Sequence, residues 1–274
     1  QKKIAVINDL SGYGRCSLTV AIPVLSAMGH QCCPIPTAIL SNHTEFPVYF
    51  FDDYTEKMTT YTDKWKELGL SFDAIATGFL GSEAQIGIVM EIVQKLKAEK
   101  TFVVVDPVMG DHGHAYETYT PEMCEQMKEL VCMADVVLPN VTECCILTDT
   151  PYREENWTRK ELLNMAMMLR LMGAKSVVIT GVREGSCYTN VVLEQGQYDA
   201  KFIRTRSSGG ERPGTGDVFS SVVAGALLNG KSLPEAVSQA AGFVKECIKV
   251  SDEEQIPHAN GVCFEKILGK LIKK

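Results

Sequence analysis

The chain has 274 residues, of which 45% are hydrophobic and 22% charged, the proportions of a soluble globular protein with a large core. Its net charge of −7 argues against a surface that binds nucleic acid or an anionic membrane. No apolar run approaches the roughly 20 residues of a membrane span, and the first residues lack the layout of a signal peptide.

Ten cysteines are present, and their placement favours free thiols. Cys32-Cys33 and Cys144-Cys145 are adjacent pairs, and Cys-x-x-Cys does not occur, which argues against a zinc site. Most of the others lie in apolar segments, where cysteine behaves as a small buried hydrophobe. We therefore expect a reduced, cytoplasmic protein.

Strands and helices alternate along the chain. Apolar, partly β-branched runs predict strands at 4–7, 31–39, 72–77, 101–106, 134–138 and 176–180. Helical spacing of apolar residues predicts helices at 17–28, 55–68, 82–98, 121–131, 141–147, 158–172, 233–250 and 262–272, with a further helix that begins near 215 and reaches 228. This alternation predicts an α/β fold, with an open, mostly parallel sheet covered by helices on both faces.

Residues 186–204 interrupt the alternation, because Gly196 separates two segments of alternating polarity, 187–193 and 198–203. Such a pattern predicts a β-hairpin at an edge of the sheet. Since no linker or repeat divides the chain, we expect residues 1–274 to form one domain.

A glycine-rich turn, Gly214-Thr215-Gly216-Asp217, leads directly into the helix that ends near 228. The N–H groups of residues 214–217 are then the unpaired donors of a helix N-terminus, which bind anions. Glycine leaves room for an oxygen-rich ligand near the main chain. Asp217 either complements the helix dipole or accepts a proton from a substrate hydroxyl while these N–H groups hold a phosphoryl group, and we favour the second interpretation.

Polar residues follow the carboxyl ends of the predicted strands, where ligands bind in open parallel sheets. Asp106, Asn140 and Glu143 are oxygen donors of the type that suits Mg²⁺, bound directly or through water. The alternatives are an ion pair of Asp106 with a lysine and a helix-capping box formed by Asn140 and Glu143.

Histidines occur in two of these loops. His112 and His114 lie in the loop 111–116, which we interpret as a mobile flap that acts as a lid rather than as a metal site. His43 could be a general base, but Asp217 is better placed for that role, so we expect a structural loop histidine.

These motifs, in this order, resemble the ribokinase superfamily and in particular its pyridoxal kinase branch, over essentially the whole chain. Gly214-Thr215-Gly216-Asp217 and Asn140-Val141-Thr142-Glu143 match signatures of the superfamily, which implies an anion hole, a base and a magnesium and phosphate site. Ser41-Asn42-His43-Thr44 and Asp106-Pro107-Val108-Met109-Gly110-Asp111 resemble the vitamin B6 kinases more specifically.

The resemblance implies roles for individual residues. Gly214, Thr215, Gly216 and Asp217 would be catalytic; Asp9, Thr44, Phe79 and Val108 would bind the pyridine substrate; Asp106, Asp111, Tyr119, Asn140, Glu143, Thr180 and Thr215 would bind ATP or phosphate; and Asp106 and Glu143 would hold Mg²⁺. Two positions depart from the family, since Asp9 replaces a ring-contacting serine and Leu138 replaces a threonine near the phosphates. The first departure leaves the preferred vitamer open.

The expected reaction is transfer of the ATP γ-phosphoryl group to the 5′-hydroxymethyl oxygen of a B6 vitamer, with Mg²⁺ bridging the phosphates. The main alternative is a hydroxymethylpyrimidine kinase of thiamine synthesis, and others are a sugar kinase, a non-catalytic B6-binding protein and a nucleotide-binding regulatory subunit. The resemblance implies a homodimer and leaves open whether a monovalent cation is needed.

Overall fold

The computed structural model describes residues 1–272, and nine of its strands form one sheet. In chain order the strands are β1 (Lys3–Tyr13), β2 (Gln31–Asn42), β3 (Phe51–Asp53), β4 (Ala74–Thr77), β5 (Phe102–Val105), β6 (Gly110–Asp111), β7 (His114–Ala115), β8 (Val136–Val137), β9 (Ser176–Glu184), β10 (Cys187–Leu193) and β11 (Lys201–Arg206). The sheet order is β11-β10-β9-β8-β5-β4-β1-β2-β3. The strands from β9 to β2 are parallel, and β3, β10 and β11 add antiparallel edges.

Helices cover both faces of this sheet, as predicted. They are α1 (Ser17–Ala27), α2 (Thr55–Glu67), α3 (Glu83–Leu96), α4 (Pro121–Cys132), α5 (Val141–Thr148), α6 (Arg159–Met172), α7 (Thr215–Leu228) and α8 (Leu233–Glu253). Capping boxes at Asn140, Thr158 and Ser232 begin α5, α6 and α8, because in each the cap side chain and the acid three residues later satisfy each other's N–H groups.

Side-chain alternation along the strands separates two cores. In β1, Ile4 and Val6 are buried with α1, α7 and α8, whereas Ala5 and Ile7 are buried with α2 to α6. The chain leaves β1 for β2 on one side and returns to β4 on the other. This reversal opens a crevice at the carboxyl ends of β1 and β4, the place where open α/β sheets bind ligands.

Several predicted boundaries were wrong. β1 and β2 continue into the segments predicted as loops, to Tyr13 and Asn42, because they pair with each other over that length. β9 passes through Gly181 to Glu184 because β10 pairs with it in antiparallel orientation. The strand β3 was missed, and the predicted helix at 262–272 is a 3₁₀ segment over Glu265–Leu271.

The edge hairpin is confirmed, with β10 paired to β11. A second, two-stranded hairpin of β6 and β7 occupies the loop that we interpreted as a lid. All ten cysteines carry free thiols. Among residues 1–272, no helix has both the length and the apolar character needed to cross a membrane.

Candidate active site

The N-terminus of α7 lies at the crevice, and its shape depends on Gly214. This residue is the N-cap, with φ of 78°, and a Cβ there would overlap the carbonyl oxygen of Arg15. Both facts restrict the position to glycine. Gly216, by contrast, has open space where a Cβ would point: apart from its chain neighbours and the adjacent backbone of α7, no atom of residues 1–272 lies within 4 Å. The first N–H groups of α7 are therefore approachable by an anion.

Asp217 lies in the first turn of α7, and its carboxylate is held by two donors. Asn8 Nδ2 donates to Asp217 Oδ1 at 3.2 Å, and the Ser17 N–H at the start of α1 also donates to the carboxylate. The orientation of Asn8 is fixed because its Oδ1 accepts the N–H groups of Asp9 (3.0 Å) and Phe79 (2.9 Å). The amide nitrogen of Asn8 is thereby turned towards Asp217.

The protonation of Asp217 reflects its surroundings. Burial raises the pKa of Asp217 to about 6, the charge of Asp9 adds to the rise, and the donors from Ser17 and Asn8 oppose it. An acid with a pKa near 6 is ionised at neutral pH yet is a stronger base than an ordinary aspartate.

Asp9 is 6% exposed, and both of its carboxylate oxygens are occupied. Ser11 Oγ donates to Oδ2 at 2.8 Å, and Ser17 Oγ donates to Oδ1. Burial raises the pKa of Asp9, and these hydroxyl donors oppose the rise. Its predicted contact with a substrate ring stays a prediction.

Asp106 and Glu143 form a second acidic group next to Asp217. Burial and then the Asp217 charge raise the pKa of Asp106 to about 8, while a hydrogen bond with Ser220 opposes the rise. Burial and then the Asp106 charge raise the pKa of Glu143 well above its ordinary value. Glu143 accepts the N–H groups of Met109 (3.1 Å) and Asn140 (2.8 Å), so the predicted capping box is present.

The acids Asp9, Asp106, Glu143 and Asp217 have no ion pair with any lysine, arginine or histidine of residues 1–272. Buried carboxylates without a cation are unfavourable, so this group suits a positively charged ligand. In the same range, no three His, Cys, Asp or Glu side chains form a metal cage by themselves. A magnesium ion here would need phosphate and water oxygens to complete its coordination.

The structure also places the other predicted residues. Asn140 Nδ2 donates to the Gly110 carbonyl at 2.9 Å, which ties α5 to the lid hairpin. Thr180 is bridged to Asn140, and its hydroxyl donates to the Pro139 carbonyl at 3.3 Å. Thr44 is exposed on a loop and Asp111 is exposed in β6, whereas Phe79 and Val108 are half-buried beside the crevice strands.

Tyr119 is buried among the side chains between the sheet and α2 to α6, and its hydroxyl has no partner within the described residues. His43 interacts through Nε2 with the Ala259 carbonyl at 2.7 Å, in agreement with a structural loop role. His112 is exposed and lies 3.5 Å from Glu211.

Sequence reasoning missed four residues of this site: Asn8, Ser17, Ser220 and Tyr116. Ser220 follows Asp217 by one helical turn, so it lies on the same face of the helix, and Asn8 ends an apolar run that predicts a strand. Both positions could therefore have been recognised from the sequence. Tyr116 lies in the lid, where burial and then the charges of Glu143 and nearby aspartates raise its pKa. Ser17 holds Asp217 through its backbone N–H, of which residue type gives no hint, and Asp9 through its hydroxyl.

A mostly parallel sheet, a glycine-rich helix start with an acid in its first turn and a two-stranded hairpin beside the crevice are the features of a kinase with the ribokinase-like fold. The chain belongs to the phosphomethylpyrimidine kinase family, whose model matches residues 22–263.

Solved structures and curated relatives agree with this. A Bacteroides thetaiotaomicron protein, described as a phosphomethylpyrimidine kinase, is 39% identical with a TM-score of 0.96, covering 100% of this chain and 94% of that one. A second crystal form of it, with pyridoxal, is 40% identical with a TM-score of 0.93 over 98% of this chain and 95% of that one.

Two further relatives are named for vitamin B6. The pyridoxal kinase of Lactobacillus plantarum is 28% identical with a TM-score of 0.91, covering 98% of this chain and 96% of that one. The pyridoxine kinase of Bacillus subtilis is 28% identical over 268 residues, which is 92% of this chain and 85% of the relative.

Proposed function

We propose that the protein is a vitamin B6 kinase, which transfers the γ-phosphoryl group of ATP to the 5′-hydroxymethyl oxygen of pyridoxal, pyridoxine or pyridoxamine. The observation that carries the proposal is Asp217, a partly buried acid with a pKa of about 6 beside the open N–H groups of α7. The relatives named for B6, and the structure with pyridoxal, support the substrate class.

Asp217 accepts the proton of the substrate hydroxyl as that oxygen attacks the γ-phosphorus. The N–H groups of Gly214, Thr215, Gly216 and Asp217 hold the equatorial oxygens of the transferring group. Asn8 and Ser17 keep the carboxylate in place. The hairpin of β6 and β7 excludes water, so that ATP is not hydrolysed.

Asp106 and Glu143 fit a divalent cation, because they are a half-buried and a buried acid without a counter-charge in the described part of the chain. Mg²⁺ bound there, directly or through water, supplies charge compensation to the phosphates. From the family resemblance we assign Asp111, Tyr119, Asn140, Thr180 and Thr215 to the ATP side. Asp9, Thr44, Phe79 and Val108 are assigned to the substrate side.

The test is a coupled ADP-release assay with Mg-ATP and, in turn, pyridoxal, pyridoxine, pyridoxamine and hydroxymethylpyrimidine, compared by kcat/KM. We expect the highest kcat/KM with one of the B6 vitamers. If none of the four alcohols stimulated ADP release, the kinase assignment would be overturned and a B6-binding protein would be favoured.

A second candidate is a hydroxymethylpyrimidine kinase. The family model and the description of the Bacteroides thetaiotaomicron protein favour it. The same base and anion site would phosphorylate either alcohol. The two candidate functions therefore differ only in which ring the substrate-side residues bind. A higher kcat/KM for hydroxymethylpyrimidine than for any B6 vitamer in the assay would select this candidate.

We further propose that residues 1–274 form one domain and that the protein is cytoplasmic. We also propose a homodimer, in which the edge hairpin at 186–204 contributes to the subunit interface. The edge position of β11 supports the last point, since an edge strand offers unpaired backbone groups. Sedimentation velocity measures the oligomeric state directly.

A further inference from the structure

Asn8 connects two parts of the crevice that come from different strands. It is 5% exposed and follows Val6 by two residues in β1, so it lies on the face of the sheet that packs against α1 and α7. Its side chain contacts both the base candidate on α7 and the turn after β4, Gly78-Phe79. This turn carries a residue that we assign to the substrate side.

The orientation of the Asn8 amide is determined by its surroundings. Its Oδ1 accepts the N–H groups of Asp9 (3.0 Å) and Phe79 (2.9 Å), and an amide nitrogen in that place could accept neither. The nitrogen must therefore face the other way, where Nδ2 donates to Asp217 Oδ1 at 3.2 Å. A donor in this position also favours the ionised form of the carboxylate.

Gly78 leaves the space that this amide fills. A Cβ at Gly78 would lie 2.3, 2.5 and 2.7 Å from Nδ2, Cγ and Oδ1 of Asn8, closer than real Cβ atoms approach. Gly78 has no positive φ, so the left-handed conformation that favours glycine does not explain its presence. Its N–H donates to the Ile7 carbonyl at 2.8 Å, which holds the turn against β1. The position is therefore restricted to glycine by the Asn8 side chain.

We propose that Asn8, in the space left by Gly78, is a positioning residue that holds the Asp217 carboxylate at a fixed distance from the turn bearing Phe79. The inference rests on the proposed function, in which Asp217 is the base and Phe79 lies on the substrate side. When one side chain holds both, the base and the substrate ring keep their separation, and the attacking hydroxyl meets a carboxylate that is already oriented.

The surroundings of Asp217 make this donor important. The Asn8 amide donates to the carboxylate beside the backbone N–H of Ser17. The ionisable groups that interact electrostatically with Asp217 lie on β1, before α1, after β5 and after β7, and are Asp9, Cys16, Asp106 and Tyr116. Each of them is neutral or negative, so none favours the ionised base. Loss of the amide should therefore raise the pKa of Asp217 and also free its carboxylate to rotate.

Two single variants test this role. Asn8→Ala removes the amide, and Gly78→Ala keeps it but occupies its place. With the best acceptor alcohol, we expect each to lower kcat about tenfold at a pH above the acidic limb, the effect of one hydrogen bond to a charged group. KM for ATP should stay within about two-fold. The acidic limb of kcat/KM should move to higher pH by about one unit, because a donor to the ionised base is lost.

The double variant that combines Asn8→Ala and Gly78→Ala separates this mechanism from general damage. Once the amide is absent, the methyl group added at Gly78 no longer meets it, so the double variant should be as active as Asn8→Ala alone. Losses that multiply would show that Gly78 acts independently of Asn8 and would overturn the proposal.

Asn229→Ala is the matched control. Asn229 caps the other end of α7, and its Nδ2 donates to the Met28 carbonyl at 3.2 Å, the same distance as in the contact of Asn8 with Asp217. We expect its kcat and its acidic limb to match those of the wild type. A limb that moves equally in Asn229→Ala and Asn8→Ala would overturn the positioning role, as would an unmoved limb in Asn8→Ala.

High-resolution crystal structures of the wild type and of Gly78→Ala provide a test that needs no turnover. In the variant we expect the Asn8 amide to be displaced beyond hydrogen-bond distance of Asp217 and the plane of the carboxylate to be turned. An unchanged contact between Asn8 and Asp217 in Gly78→Ala contradicts the inference. If no alcohol is phosphorylated, the proposed function fails, while the two structures still decide whether Asn8 holds Asp217.

Discussion

Asp217 has the combination of features that a general base needs, namely a raised pKa and a fixed orientation. Burial raises its pKa to about 6, and Asn8 and Ser17 hold it. Asp217→Asn keeps the shape and an acceptor for Asn8 but removes the basicity. We expect kcat to fall on the order of 10²-fold or more, with ATP affinity retained. Steady-state kinetics and ATP titration measure both, and Asp199→Asn, an exposed aspartate, is the control.

The same pKa predicts how activity depends on pH. Only the ionised carboxylate accepts a proton, so kcat/KM should be constant above the pKa and fall about tenfold per unit below pH 6. An acidic limb at the ordinary aspartate value near 4 would contradict the assignment of Asp217.

At this scale the sequence was informative where a residue acts through its own side chain. Asp217, Asp106, Glu143 and Asn140 were singled out because acids and amides at strand ends and helix starts are chemically conspicuous, and the structure brings them together at the crevice. Asn8 was passed over because an amide that holds an acid looks, in a sequence, like any loop asparagine. Ser17 holds Asp217 with a backbone N–H, which any residue carries.

The proposed anion site depends on the N-terminus of α7. Substitutions of its two glycines, Gly214 and Gly216, should affect stability and activity differently. At Gly216 a Cβ meets no atom of the described residues within 4 Å beyond its chain neighbours and the adjacent backbone of α7. Since the residue is helical, Gly216→Ala should raise stability by up to about 1 kcal/mol. The added methyl group would occupy space needed by the transferring phosphoryl group. We therefore expect a large loss of kcat, at least about ten-fold, with an unchanged or higher Tm.

Gly214→Ala is the contrasting variant. Its Cβ would overlap the Arg15 carbonyl oxygen at a φ of 78°, so both stability and activity should fall. Thermal unfolding and kinetics on the two proteins distinguish the cases. Full activity in Gly216→Ala would show that no ligand approaches the main chain there.

Helix positions were predictable at this scale because their signals are local. Gly29 and Gly69 end the first two helices near the expected residues, and Thr158 with Glu161 begins α6. Strand lengths were less predictable, because they depend on partners distant in sequence. β9 continues through Gly181 only because β10 pairs back against it.

Across the whole molecule, the carboxyl ends of the strands gather acids without a balancing cation, and this affects stability as well as catalysis. Asp106 has a folded-state pKa of about 8, above its ordinary value near 4. Folding thus favours the protonated acid, and the stability it contributes is complete below about pH 4 and is lost as pH rises through 8. The ligand-free protein should therefore become less stable from pH 6 to pH 9.

Asp106→Asn removes the charge that burial disfavours, so we expect its Tm at pH 8.5 to exceed that of the wild type by a few degrees.

Millimolar Mg²⁺ should raise the Tm of the wild type, since a bound cation stabilises the ionised acid, and should have little effect on the Asp106→Asn variant. Asp135→Asn is the matched control. Asp135 is already paired with Lys175 at 2.6 Å and Lys97 at 3.6 Å, so its loss should lower Tm and leave the Mg²⁺ response intact. An equal Mg²⁺ response in Asp106→Asn and the wild type would place the cation elsewhere, because the carboxylate proposed to bind it would then be dispensable.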